Sequence, residues 1–108
     1  MECGHVGILT VDLHLPEGGS LKGKRRELLR VKHALTRHTS CSVAEVDHHD
    51  LWQRARLTLC VADRTAGDAG DRLDRAARML HSDPAFEVVG EATALIAVDG
   101  EPDAWRGR

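Results

Sequence analysis

A chain of 108 residues, of which 42% are hydrophobic and 30% charged, is large enough for one folded domain and too apolar to be typical of a disordered protein. Its formal net charge of -2 excludes a polycation that attracts nucleic acids over its whole surface. Three cysteines without a Cys-x-x-Cys pair argue against a disulfide framework and against a zinc ribbon. The sequence shows no signal peptide and no membrane-spanning run, so we expect a cytoplasmic protein.

The first predicted element is a β-strand over residues 5–15, in which hydrophobic residues recur at every second position. One face of this strand would be apolar and carry Gly7, Leu9, Val11, Leu13 and Leu15. The other face would be mixed and carry Val6, Ile8, Thr10, Asp12 and His14. We therefore expect one face of the strand to be buried and the other to be open.

Residues 20–38 predict an amphipathic helix, with Ser20 in the N-cap position. At about 100° per residue, Leu28, Val31 and Leu35 fall beside Leu21, and a basic stripe lies nearly opposite them. Residues 21–38 contain seven of the 15 lysines and arginines and one acidic residue, so this segment carries +6 and the rest of the chain -8. This uneven distribution of charge says more about a binding partner than the net charge of the whole chain does.

The remaining segments follow the same reasoning, with alternation predicting strands and a period of 3.6 predicting a helix. They are a strand over residues 41–47, a turn over 48–50, a strand over 51–62, a helix over 68–82, a strand over 86–98 that Gly90 would interrupt, and a polar tail over 99–108 that includes Trp105. The short link between the second and third strands indicates an antiparallel hairpin.

The order β-α-β-β-α-β predicts an α+β, ferredoxin-like domain over residues 1–98, with a four-stranded antiparallel sheet and both helices on one face. The other face of the sheet would then be open, with apolar residues at one end. An open face of this kind indicates a partner, most simply a second copy of the chain in a homodimer.

Two blocks of the sequence, HVGILTVDLHLPEGGSLKGKRREL and SVAEVDHHDLWQRARLTL, resemble the YlxP-like bacterial family of unknown function. The resemblance covers about residues 5–89 and implies a ferredoxin-like fold in a cytoplasmic bacterial protein. Genes of this family often lie beside the gene for ribosome-binding factor A, which implies a role near ribosome or RNA metabolism. The resemblance supplies no catalytic residues.

The basic helix is the main candidate site. We expect it to contact the phosphate backbone of RNA or of a ribosomal particle, in a non-enzymatic role that includes ribosome maturation. The predicted contacts are Lys22, Lys24, Arg25, Arg26, Arg30 and Arg37. With one Phe, two Trp and no Tyr, the chain lacks the aromatic pairs of an RNA-recognition sheet, so charge and shape would dominate. The alternative is a basic face that is only solvated or paired with acids of the same chain.

Two other interpretations remain open. A metal-dependent enzyme could use the turn His48-His49-Asp50, since imidazole and carboxylate ligands suit zinc or manganese. The other members of this candidate cluster are Glu45, Asp47, Asp12 and His14. Polar turn chemistry is the simpler interpretation of the turn. A purely structural dimerisation module could use Trp52 as an interface anchor. We predict no catalytic residue, no metal ligand and no cofactor.

Overall fold

The computed structural model describes residues 3–17 and 19–99. Within them the sheet has the strand order β2-β3-β1-β4 with every neighbouring pair antiparallel, which confirms the predicted ferredoxin-like arrangement. No helix among the described residues is long and apolar enough to cross a membrane. The elements are β1 (His5–His14), α1 (Leu21–Thr39), β2 (Ser42–Asp47), β3 (Arg54–Asp63), α2 (Ala66–Ser82) and β4 (Glu87–Ala97).

The alternation in β1 produces the sheet's two faces, as predicted. Leu9, Val11 and Leu13 are each at most 1% exposed, and they face the helices. Residues paired across antiparallel strands share a face, and these three pair with the buried residues Leu59, Leu57 and Ala55 of β3. The intervening residues of both strands therefore lie on the open face, away from α1 and α2.

Both helices begin at side-chain caps. The hydroxyl of Ser20 accepts a hydrogen bond from the Gly23 backbone N–H at 3.0 Å, as the sequence predicts. Thr65 Oγ1 accepts in the same way from the Asp68 N–H at 3.1 Å, so α2 begins at Ala66 rather than at residue 68. The apolar stripes then pack onto the sheet, and their buried members include Leu28, Val31, Leu35, Ala69, Leu73, Ala76 and Leu80.

Two predictions about the strands change. Strand β3 begins at Arg54, because residues 51–53 belong to the loop that closes the hairpin. Strand β4 is continuous, but its pairing with β1 shifts between Asp12 and Leu13, next to Gly90. A Cβ at Gly90 would lie 3.2 Å from Asp12 Oδ2, so a side chain there would crowd Asp12. The predicted tail, with Trp105, lies outside the described residues apart from Asp99.

Candidate nucleic-acid interface

The outer face of α1 carries a set of unpaired cations. Lys22, Arg26 and Arg37 project opposite the buried leucine stripe, and Arg25 lies on the flank toward β2, at the helix spacing that the sequence predicts. All four side chains are exposed. Among residues 3–17 and 19–99, none of the four has a carboxylate oxygen within 4.0 Å, the distance that would make an ion pair. Four of the six predicted contacts are therefore available to an external anion.

Arg30 adjoins this face but is already neutralised. Its guanidinium donates to Glu27 Oε2 at 2.8 Å and to both oxygens of Asp83, at 2.8 and 3.0 Å. The guanidinium carbon also lies 6.0 Å from the centre of the Phe86 ring. The hydrogen bonds that Arg30 donates to Asp83 and Glu27 raise its pKa. Arg30 thus joins α1 to the end of α2, and its charge is satisfied within the chain.

Lys24 is not on the surface, and it has to be removed from the predicted interface. Its side chain is 2% exposed, and its Nζ donates to the backbone carbonyl oxygens of His48 at 2.6 Å and Leu51 at 2.8 Å. Glu45 Oε2 lies 2.9 Å from the same nitrogen and balances its charge. The spacing already contained this signal, because positions 24, 28, 31 and 35 share one side of a helix. Lys24 therefore fastens α1 to the β2–β3 hairpin.

Two arginines of α2 that the sequence analysis did not single out extend the basic face. Arg75 and Arg78 line a shallow cavity of about 560 Å³ with His38 of α1. Within the part of the chain that the structure describes, neither arginine has a carboxylate oxygen within 4.0 Å. The charges of α2 nearly cancel along the sequence, which hides these residues. Asp71 and Asp74 lie four residues before Arg75 and Arg78 and so neighbour them on the helix, but neither carboxylate comes within 4.0 Å of the arginine that follows it.

The loop between β2 and β3 carries the predicted interface residue Trp52, which is 40% exposed. Leu51, which precedes it, is also exposed, and its carbonyl oxygen is held by Lys24. His48 has a positive φ of 66°, a conformation that is uncommon outside glycine and asparagine. The loop therefore holds Trp52 at the hairpin end beside α1, outside the strands.

The acidic residues considered for a metal site are used differently. Arg56 donates to both oxygens of Asp12, at 2.7 and 3.1 Å, and lies 3.4 Å from Asp47 Oδ2. The hydrogen bond from Arg56 keeps the pKa of Asp12 below its ordinary value, and a hydrogen bond from the His48 backbone N–H does the same for Asp47. Residues 3–17 and 19–99 contain no group of three His, Cys, Asp or Glu side chains arranged to hold a metal ion. Asp12 and Asp47 thus converge on a guanidinium instead of on His49 and Asp50.

Comparison with known proteins places this chain in an uncharacterised family. The family model described as "Protein of unknown function (DUF503)" matches residues 6–92. The matched segment spans most of the chain, so the protein belongs to this family. No curated protein matches it.

Proposed function

We propose that this member of the DUF503 family binds RNA through the outer face of α1, without catalysing a reaction. The observation that carries the proposal is the contrast between two groups of cations on one helix. Lys24 and Arg30 are neutralised by acids of the chain, whereas Lys22, Arg25, Arg26 and Arg37 are exposed and unpaired. Unpaired cations on one face repel one another; when a polyanion binds, they pair with its phosphates and release its condensed counterions.

The geometry favours a phosphate backbone over individual bases. The four residues extend over most of a 19-residue helix, and such a helix is about 28 Å long. Arg75 and Arg78 widen the face toward α2, so the cations form a broad surface. No aromatic side chain belongs to this set of residues, so base stacking contributes little and shape and charge dominate. Structured RNA is the partner that fits.

The ribosome enters the proposal only through the resemblance. A YlxP-like protein whose gene lies near that of ribosome-binding factor A would meet ribosomal RNA in the cytoplasm. We propose ribosomal RNA as the specific partner on this basis, and the surface described above as the means of binding.

The test is a salt series of RNA binding, measured by the anisotropy of a labelled RNA hairpin. Each phosphate contact contributes a slope on the order of -0.7 to -0.9 to the plot of log affinity against log salt. For the four unpaired residues of α1 we expect a slope of about -3. The double variant Arg26→Gln, Arg37→Gln should bring the slope about 1.5 units closer to zero and weaken binding about tenfold or more.

A charge-matched control separates the site from the total charge. The double variant Arg64→Gln, Gln53→Glu lowers the net charge by the same two units at exposed positions outside α1. Its plot of log RNA affinity against log salt should have the same slope as that of the unchanged protein. Equal weakening in the two double variants would refute a localised site, and the absence of salt-dependent binding in the unchanged protein would refute RNA binding through phosphates.

A further inference from the structure

The open face of the sheet divides into an apolar half and a charged half. The apolar half contains Val6, Ile8, Cys60, Ala62, Ala94 and Ile96, which the pairing of β3 and β4 with β1 brings side by side. Cys60, Ala62, Ala94 and Ile96 are exposed, Ile96 to the extent of 49%. Apolar surface contributed by three adjacent strands is costly to leave in water.

The polar groups in the middle of this face are paired with one another. At its centre, the hydroxyls of Thr10 and Thr58 form a hydrogen bond of 2.9 Å. In the charged half, Arg56 holds Asp12 and Asp47. Covering these paired groups costs little, because burial strands none of them; at the end of the charged half, Arg54 Nε beside His14 has no partner among the described residues. The face also offers no excess of one charge to attract a polyanion.

The arrangement of charges on this face matches a second copy of itself. Consider a two-fold axis that runs parallel to the strands between β1 and β3. It places β1 of one copy over β3 of the other, so each Asp12 faces the partner's Arg56, while Ile8 faces the partner's Cys60 and Thr10 faces the partner's Thr58. Acid then meets base, and the apolar half meets the apolar half, as an isologous interface requires.

The size of the face also fits. Four strands about 4.8 Å apart, of six to 11 residues at about 3.4 Å each, cover about 600 Å² of flat area. Side chains make the accessible area larger, so the whole face approaches the roughly 800 Å² per partner of a stable interface. The apolar half alone would provide about half of this area, so the charged half has to take part.

We propose that two copies of this chain pack through their open sheet faces and form a symmetric dimer with the helix layers on the outside. This proposal is independent of RNA binding, which concerns the opposite side of the sheet. It commits the charged half to contacts between copies and assigns Cys60 to the covered surface.

Sedimentation equilibrium of the full chain provides the first test, with Ala94→Arg as the disrupting variant. Ala94 is exposed on an edge strand, so an arginine there leaves the core intact while placing a charge in the apolar half. We expect a dimer for the unchanged protein and a dissociation constant at least about tenfold higher for Ala94→Arg. Thr93→Arg is the matched control. Thr93 precedes Ala94 in the same strand and is exposed on the other side of the sheet, so an arginine there should leave the dimer intact.

Thiol labelling provides the second test. Cys41 is buried, and with Cys3 changed to Ser the exposed Cys60 becomes the reactive thiol. Its reaction with a maleimide should slow as protein concentration rises, and Ala94→Arg should abolish this protection. Circular dichroism and thermal unfolding of each variant show whether the domain remains folded.

Several results would overturn the proposal. A monomeric unchanged protein would do so, as would a dimer in which Cys60 reacts at full speed or in which Ala94→Arg has no effect. Loss of the dimer in Trp52→Ala but not in Ala94→Arg would move the interface to the hairpin loop. Protection of Cys60 at every concentration in a monomer would assign the face to a different occupant, such as the chain's own residues 100–108.

Discussion

Replacing Lys24 by methionine tests the structural reading of α1 most directly. The change removes an ammonium that is 2% exposed and that contacts three oxygens at 2.6, 2.8 and 2.9 Å, those of His48, Leu51 and Glu45. Methionine is also unbranched and long, so it keeps most of the volume and the helix propensity. What is lost is therefore the polar connection between α1 and the hairpin.

The expected magnitude follows from these contacts. Each hydrogen bond from a charged donor is worth about 1.5–3 kcal/mol, and breaking a buried ion pair costs about 3–5 kcal/mol when the other charge stays buried. The Glu45 side chain is 20% exposed, but its Oε2 is buried and its 2.9 Å contact lacks hydrogen-bond alignment, so the variant leaves this oxygen without its counter-charge. Because burying the ammonium also carries a cost that the variant no longer has, we expect a net loss of about 3 kcal/mol in the free energy of unfolding.

Urea unfolding followed by circular dichroism measures this loss. With a slope near 1.5 kcal/mol per molar urea, the midpoint should fall by about 2 M. Lys22→Met is the matched control, since it makes the same chemical change at an exposed position of the same helix and should alter stability by less than about 0.5 kcal/mol. A loss below about 1 kcal/mol in Lys24→Met, or equal losses in the two variants, would refute the fastening role.

Two further predictions concern stability. Partial burial raises the pKa of Asp83, but the hydrogen bond from Arg30 acts against it, and the net effect is a pKa below the ordinary value of 3.8. The ionised carboxylate therefore stabilises the fold fully above about pH 4, and this stabilisation is lost as the pH falls through the pKa of the folded state. Asp83→Asn should therefore be less stable near neutral pH and lose less stability in acid, as shown by urea midpoints measured across pH; a parallel acid profile would contradict this. A Cβ at Gly7 would lie 2.8 Å from Leu73 Cδ1 and 3.1 Å from Val61 Cγ2, so Gly7→Ala should lower the free energy of unfolding by about 1–3 kcal/mol. Gly67→Ala, with nothing within 4 Å, should raise it by up to about 1 kcal/mol, and effects of the same sign at both glycines would rule out crowding as the cause.

The fold could be predicted because its elements are encoded locally. The two-residue alternation of β1 gives the correct faces, and the period of α1 gives the correct buried stripe. Boundaries that depend on single contacts are harder to predict from the sequence. The start of α2 depends on the Thr65 cap, and the sequence offered several polar residues before that helix. The shift in pairing lies where Gly90 pairs with Asp12, a contact between distant parts of the chain.

The candidate site was predictable only in part, for a related reason. Periodicity indicates which residues share a helix face, but it does not indicate which acids lie next to them. Asp83 is 53 residues from Arg30 along the chain, and Arg75 meets His38 only through the packing of α2 beside α1. The six predicted residues therefore divided into four that are free and two that are neutralised by tertiary contacts.

The pairing of several acids elsewhere in the chain keeps them from neutralising the outer face of α1. Outside α1, Asp12, Asp47 and Asp63 each have an arginine of β3 or α2 within ion-pair distance, and Glu87 and Glu91 lie beside histidines. These acids are held at the sheet and at the edges of α2 by partners of their own, so they do not turn toward the outer face of α1. The sheet separates the two surfaces physically, with paired charges on the open side and unpaired cations beyond the helices.

In a dimer formed through the open faces, the two sheets would pack about 10 Å apart, and the two basic faces would point in opposite directions. Self-association and RNA binding therefore compete for no residue, and each protomer of such a dimer would bind a separate stretch of RNA.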